Sequence, residues 1–210
     1  GEFGHGWRLA LPGRVRDSAV ESPAVERFTL NTRVYVTRPD GRRVGFTFAA
    51  YPISFFFSFI VQPSFRPDPG VYDRLEPLDN SLIVVSDGFF YTGLFTAPFN
   101  PSTYVLTTKE GIKYTIDEQD GLQHIEDRNG NTIEVRPDGL FSSTGVALTF
   151  VRDAQGRIER IIEPDDDPAD GNPPGQLQYE YTAAGNLQSF RDQMGNTTTF
   201  TYLATPAHYL

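Results

Sequence analysis

Residues Tyr179–Tyr202 read YEYTAAGNLQSFRDQMGNTTTFTY, and this stretch decides the fold. Leu177, Tyr179 and Tyr181 interleave with Gln176, Gln178 and Glu180, and Thr198, Phe200 and Tyr202 with Thr197, Thr199 and Thr201. A period of two places aromatic side chains on one face of a strand and polar ones on the other. Between the runs lie two turns, Ala184-Gly185-Asn186 and Met194-Gly195-Asn196. Glycine suits them because a tight hairpin connection needs φ > 0 at one or two residues.

The same beat extends upstream to Ser102, with turns at Lys109-Glu110-Gly111, Asp120-Gly121, Arg128-Asn129-Gly130-Asn131, Pro137-Asp138-Gly139 and Ala154-Gln155-Gly156-Arg157. Turns roughly 8–12 residues apart mark short antiparallel strands in a meander. Before Ser102 the pattern loosens. Val34–Phe48 reads as a hairpin around Pro39-Asp40-Gly41, and Ser81–Phe95 as another turning at Asp87-Gly88. Ser64–Pro77, with Pro67, Pro69 and Pro77, reads as an irregular loop. Phe48–Val61 reads as a buried strand pair broken at Pro52, being shorter than the roughly 20 apolar residues of a membrane-spanning helix. The expected fold is therefore all-β, an antiparallel hairpin meander. Residues 1–101 form a less regular β region with an aromatic core or plug, and residues 102–210 form hairpin repeats interrupted by an acidic Pro/Gly insertion at 164–175.

Composition supports this and narrows function. The 210 residues include 17 Phe, 10 Tyr, 19 Gly and 16 Pro, which favours strands and tight turns over long helices. A formal net charge of −9 disfavours nucleic acid and anionic membrane surfaces as partners. With no Cys there is no disulfide, thiolate nucleophile or Cys-ligated zinc. The start at Gly1 and the strand-like end at His208-Tyr209-Leu210 read as a segment of something longer.

An internal motif, D-x-x-G-N/R, recurs at Asp127–Asn131, Asp153–Arg157 and Asp192–Asn196. With the alternating aromatics it resembles the YD repeat of Rhs-type proteins, matching at Tyr181, Gly185, Asn186, Leu187, Phe190, Asp192, Gly195 and Asn196. Thr182 stands where the family usually has Asp, and Arg152 where Tyr would precede Asp153. Gly121–Val135 resembles the same unit, and Gly4-His5-Gly6-Trp7 and Pro39–Arg42 are similar to the less regular regions beside such repeats. The motif reads as sheet geometry: the Asp accepts a backbone N–H two or three residues on, and the Asn or Arg restarts the strand.

The resemblance implies a segment of a hollow β-shell, which in bacterial relatives encloses a toxic domain and in animal teneurins serves adhesion. The expected role is a non-catalytic wall segment of a secreted or cell-surface protein, partnered by the remainder of a longer chain. An enclosed toxin domain or a cell-surface ligand would then be a further partner. The alternative is a self-associating extracellular fibre or adhesion module that completes its sheet by strand addition between copies. An enzyme, such as a glycosidase using two carboxylates, ranks third.

No catalytic, cofactor-binding or metal residue is assigned. His5, His124 and His208 match no metal or nucleophile pattern. In the acidic insertion Asp165–Asn172 the calcium-loop spacing fails at Ala169, so a solvated loop is expected and calcium stays an open alternative. Asp167-Pro168 only faintly resembles the self-cleavage motif of some Rhs shells, because Gly171-Asn172 replaces the expected Gly-Leu, and that activity is not carried over. Tyr51, Phe55, Phe56, Phe57 and Phe59 form an aromatic cluster read as buried core or plug, with sugar stacking or an interface as the alternative.

Overall fold

The computed structural model describes residues 15–17 (backbone only), 28–38, 40–53, 59–93, 97–165, 169 and 171–202. Among the described residues there is no helix, and every strand pairing that they form is antiparallel. The chain divides into two compact units, with the boundary between Thr132 and Ile133.

In the unit up to Thr132, β1 (Val15–Asp17), β2 (Arg33–Thr37), β3 (Arg43–Pro52) and β4 (Ile60–Pro67) pair in sequence. The sheet then forks along β4. Its start pairs with β6 (Ile83–Ser86), at Ile60↔Val84 and Val61↔Ile83, while Phe65 further along pairs with Leu75 of β5 (Arg74–Pro77). One branch continues through β7 (Phe89–Thr92) to β8 (Ala97–Pro98). The other continues from β5 through β9 (Thr103–Thr107) and β10 (Lys113–Asp117) to β11 (Gly121–Glu126).

The fork creates the core. Alternation along β2 buries Val34 and Val36, along β3 Phe46 and Phe48, and along β9 Tyr104 and Leu106. Onto this face the β7 branch brings Phe90, whose ring centroid lies 5.0 Å from that of Phe48, edge to face. Phe28, Phe65 and Phe99 close around the same ring at 5.2, 5.4 and 5.5 Å. Full burial of a Phe contributes about 1.5–3 kcal/mol, and each well-oriented ring pair about 0.5–1.5 kcal/mol more.

Two expectations are corrected here. Ser64–Pro77 is not one irregular loop: Ser64–Pro67 ends β4 and Arg74–Pro77 is β5. Pro67 and Pro77 each close a strand, where a missing N–H costs least. The aromatic core is also built elsewhere than expected, since Tyr51 and Phe59 are 51% and 44% exposed. Phe55, Phe56 and Phe57 lie outside the described residues.

The second unit is a meander that carries the repeats. β12 (Thr132–Arg136), at whose start the boundary falls, pairs with β13 (Gly139–Ser142). Then follow β14 (Ala147–Arg152), β15 (Ile158–Ile162), β16 (Gln176–Tyr181), β17 (Leu187–Arg191) and β18 (Thr197–Thr199), each paired with the next. Phe150, Ile158 and Ile161 are buried and gather Leu140, Leu148, Leu177 and Tyr179 around them. Tyr179 meets Phe190 across the β16–β17 pair at 5.3 Å. The acidic insertion separates β15 from β16. Of it, Asp166, Asp167, Pro168 and Asp170 lie outside the described residues.

Candidate functional site

One five-residue turn recurs seven times among the described residues. Its first residue donates its N–H to the carbonyl of the fifth, and the N–H of the fourth, a glycine, returns to the carbonyl of the first. The turns are Arg38–Arg42, Thr108–Ile112, Asp127–Asn131, Ser142–Val146, Asp153–Arg157, Thr182–Asn186 and Asp192–Asn196. Gly41, Gly111, Gly130, Gly145, Gly156, Gly185 and Gly195 hold φ between 79° and 87°. This is a type I turn closed by a left-handed residue in a bulge. The Ser142 turn is absent from the sequence reading, although Ser at its first position and Gly at its fourth were the signal.

The motif chemistry refines the expected mechanism. Asp127 Oδ1 accepts the N–H groups two and four residues on, at 2.7 and 2.9 Å, and Asp153 and Asp192 repeat this at 2.8–2.9 Å. The fifth residue does more than restart the strand. Asn131 Nδ2 donates to Asp127 Oδ2, Asn196 Nδ2 to Asp192 Oδ2, and Arg157 Nε to Asp153 Oδ2, all at 2.7–2.8 Å. These bonds, led by the Asn side chains, hold the Asp127 and Asp192 carboxyls below the usual range. At Asp153 burial opposes ionisation, but Arg157 and two backbone N–H groups outweigh it and its carboxyl is also lowered. Thr182, the departure from the motif, forms the same turn, its hydroxyl accepting the Asn186 N–H at 3.1 Å.

A second regularity links the turns. In a meander every other turn lies at the same end of the sheet, and before three of the seven turns the preceding residue reaches back to the previous turn at that end. The Tyr181 hydroxyl donates to the carbonyl of Ile158, the residue directly after the Asp153 turn. Tyr202 donates at 2.7 Å to the carbonyl of Leu187, the residue directly after the Thr182 turn. Glu126 meets Lys113, directly after the Thr108 turn, as an ion pair of 2.8 Å. Arg152, where the resemblance expects Tyr, donates through Nε at 2.8 Å to the Pro137 carbonyl in the preceding turn. The Arg157 guanidinium lies 4.2 Å from the Tyr181 ring centroid, and burial pushes the Tyr181 pKa up to about 12.

The remaining candidates do not converge on a reaction centre. His124 lies within β11 opposite Thr115, while His5, His208 and Trp7 lie outside the described residues. No group of three or more metal-ligating side chains forms among the described residues. A shallow cleft of about 400 Å³ opens between Leu78, Thr92, Phe99 and Ser102. Its one carboxylate, Asp79, accepts both the hydroxyl (2.5 Å) and the N–H (3.1 Å) of Ser81, which hold it below its ordinary pKa.

Asp73, 3% exposed, faces Arg38 Nε at 3.2 Å. Asp68 takes both terminal nitrogens of Arg33, at 2.8 and 2.5 Å. Two arginines, Arg33 at the start of β2 and Arg38 directly after its end, thus pin the two ends of the loop from Asp68 to Asp73. No family model matches the chain, and no curated protein matches it.

Proposed function

We propose that the chain is a non-catalytic wall segment of a secreted or cell-surface protein built from Rhs/YD-type hairpin repeats, one that encloses or presents a toxin or adhesion module. The reach of Glu126, Arg152 and Tyr181 from just before one turn back to the previous turn at the same end carries this reading. Because these side chains fasten one hairpin to the last through the chain's own turn chemistry, a sheet made this way extends by adding like units. The recurring element is then a geometry, and none of the motif residues is left over for chemistry: Asp, Gly and Asn or Arg close the turn, and Tyr fastens it. Electron microscopy of the full-length protein tests the reading. A hollow β-walled particle, with any enclosed domain resistant to added protease, is expected. A solid domain whose neighbouring domains are all equally cleaved would sink it.

A second reading, strand addition between copies, is favoured by β18. Its three threonines are exposed, and among the described residues it pairs with β17 alone. The bond from the Phe200 N–H to the Gln188 carbonyl fixes the ladder phase, so that the Thr199 N–H points away from β17. Thr199→Pro removes that outward donor while sparing the β17–β18 bonds. Concentration-dependent association in sedimentation, abolished by Thr199→Pro, would support this reading over the first, and a monomer at all concentrations would exclude it.

A further inference from the structure

We propose that the loop Asp68–Asp73, with Arg66 and Arg74 beside it, is a docking surface for an acidic protein segment. The inference is independent of whether the chain is a shell wall. Tyr72 is 78% exposed, holding a large aromatic ring in water. The loop beneath it is not free to bury that ring. Asp68 at one end is gripped by Arg33, Asp73 at the other faces Arg38 across a buried contact, and the Val71 N–H donates to the Asp68 carbonyl at 3.0 Å. A pinned loop presents its side chain at little entropic cost on binding.

The charges beside the loop are arranged against the sheet's own stability. Phe65 opposite Leu75 places Arg66 opposite Arg74, both on the solvent face. Like charges directly opposite on neighbouring strands destabilise the pair. Arg66 has no ion-pair partner among the described residues. Arg74, its side chain 66% exposed, meets only Glu76 of its own strand among the described residues, at 3.2 Å. An acidic side chain from a partner would bridge the two guanidinium groups and relieve that repulsion.

Tyr and Arg in one exposed, preorganised patch are the residue types that dominate protein interfaces. The patch is locally positive on a chain of net charge −9, so general attraction to polyanions is opposed and a local site is required for binding.

Fluorescein-labelled octaglutamate, titrated with the intact chain at low ionic strength and followed by anisotropy, tests the proposal. Saturable binding is expected, weakened at least tenfold by Arg66→Glu with Arg74→Glu and at least threefold by Tyr72→Ala. Arg128→Glu, at the exposed Asp127–Asn131 turn three strands along the sheet from Arg74, serves as the control and should leave binding unchanged. Amide exchange of each variant verifies the fold. Absence of saturable binding would overturn the proposal, as would equal loss in the Arg128→Glu control. Indifference to Tyr72→Ala, together with equal displacement by a uronate or a sulfated polysaccharide, would replace the protein segment with a generic polyanion and overturn it too.

Discussion

Arg33 on β2 and Asp68 beyond the end of β4 join directly above Gly45 of the intervening strand, which has no side chain to hold them apart. A Cβ at Gly45 would lie 2.4 Å from Asp68 Oδ2 and 2.6 Å from Arg33 Nη2. The backbone there is not left-handed, so the glycine serves close approach rather than a turn. Arg33 Nη1 also donates to Thr47 at 2.8 Å, which fixes the guanidinium from a second side.

Gly45→Ala should therefore act through the ion pair. Both obstructing atoms end flexible side chains, so the pair opens rather than the sheet, at a cost of about 0.5–1.5 kcal/mol. In an Asp68→Ala background the same substitution should cost less than half as much. A double-mutant cycle by urea denaturation reads this coupling, and additive effects would show that the glycine is needed for another reason.

Gly139 and Gly195 should separate two kinds of glycine requirement. At Gly139 a Cβ would stand 2.3 Å from the Leu148 carbonyl oxygen, a backbone atom of β14 that cannot swing aside. At Gly195, with φ 87°, the nearest atom is the Arg191 guanidinium at 3.4 Å, so only the left-handed penalty applies. Gly195→Ala is expected to lose about 1 kcal/mol and Gly139→Ala about 3 kcal/mol. Equal shifts in the urea midpoint would contradict this ranking.

The hairpins were legible in the sequence because their chemistry is local. Asp, Gly and Asn or Arg fall within five residues, and the expected positive φ at Gly130, Gly156 and Gly195 is present. The Asp87-Gly88 turn was likewise readable and joins β6 to β7. The fork was not legible. Phe28, Phe90 and Phe99 meet Phe48 through pairings far apart in the chain, and no local pattern distinguishes these rings from Tyr51 or Phe59, which are exposed. Proline misled the reading of Ser64–Pro77, because its missing donor weakens strand propensity in any window but costs little at a strand end. The reach of Arg152 to Pro137 was hidden for a different reason: a guanidinium and a phenol share no sequence signature, only a donor at the same place.

Acid should loosen the turns only as pH falls below the range in which unperturbed carboxylates protonate. Asp127, Asp153 and Asp192 all have lowered folded-state pKa values. Their stabilisation is complete above the unfolded pKa, near 4, and is lost as pH falls through the lower folded values. Urea midpoints should therefore drop steeply below pH 4. Asp192→Asn, which keeps an acceptor but does not titrate, should make that drop shallower while lowering stability at pH 7. An unchanged acid limb would mean that these carboxylates do not control it.

Tyr181 gives the opposite pH signature. Its folded pKa, raised by burial to about 12, lies above the unfolded value near 10. The protonated phenol is the form that fastens the hairpin, since only it donates to the Ile158 carbonyl. Its stabilisation is thus fully present below pH 10 and is lost as pH rises towards 12. Tyr181→Phe keeps the ring under Arg157 but deletes the donor, so the expected cost at pH 7 is about 0.5–1.5 kcal/mol. The variant should also lose less stability than the wild type between pH 10 and 12. Ultraviolet titration near 295 nm would show one fewer late-ionising phenol, and amide exchange would quicken first in β15 and β16, the two strands that the bond ties together. If the variant matched the wild type in both stability and alkaline slope, the hydroxyl would be a bystander, and the fastening of one hairpin to the next would have to rest on packing alone.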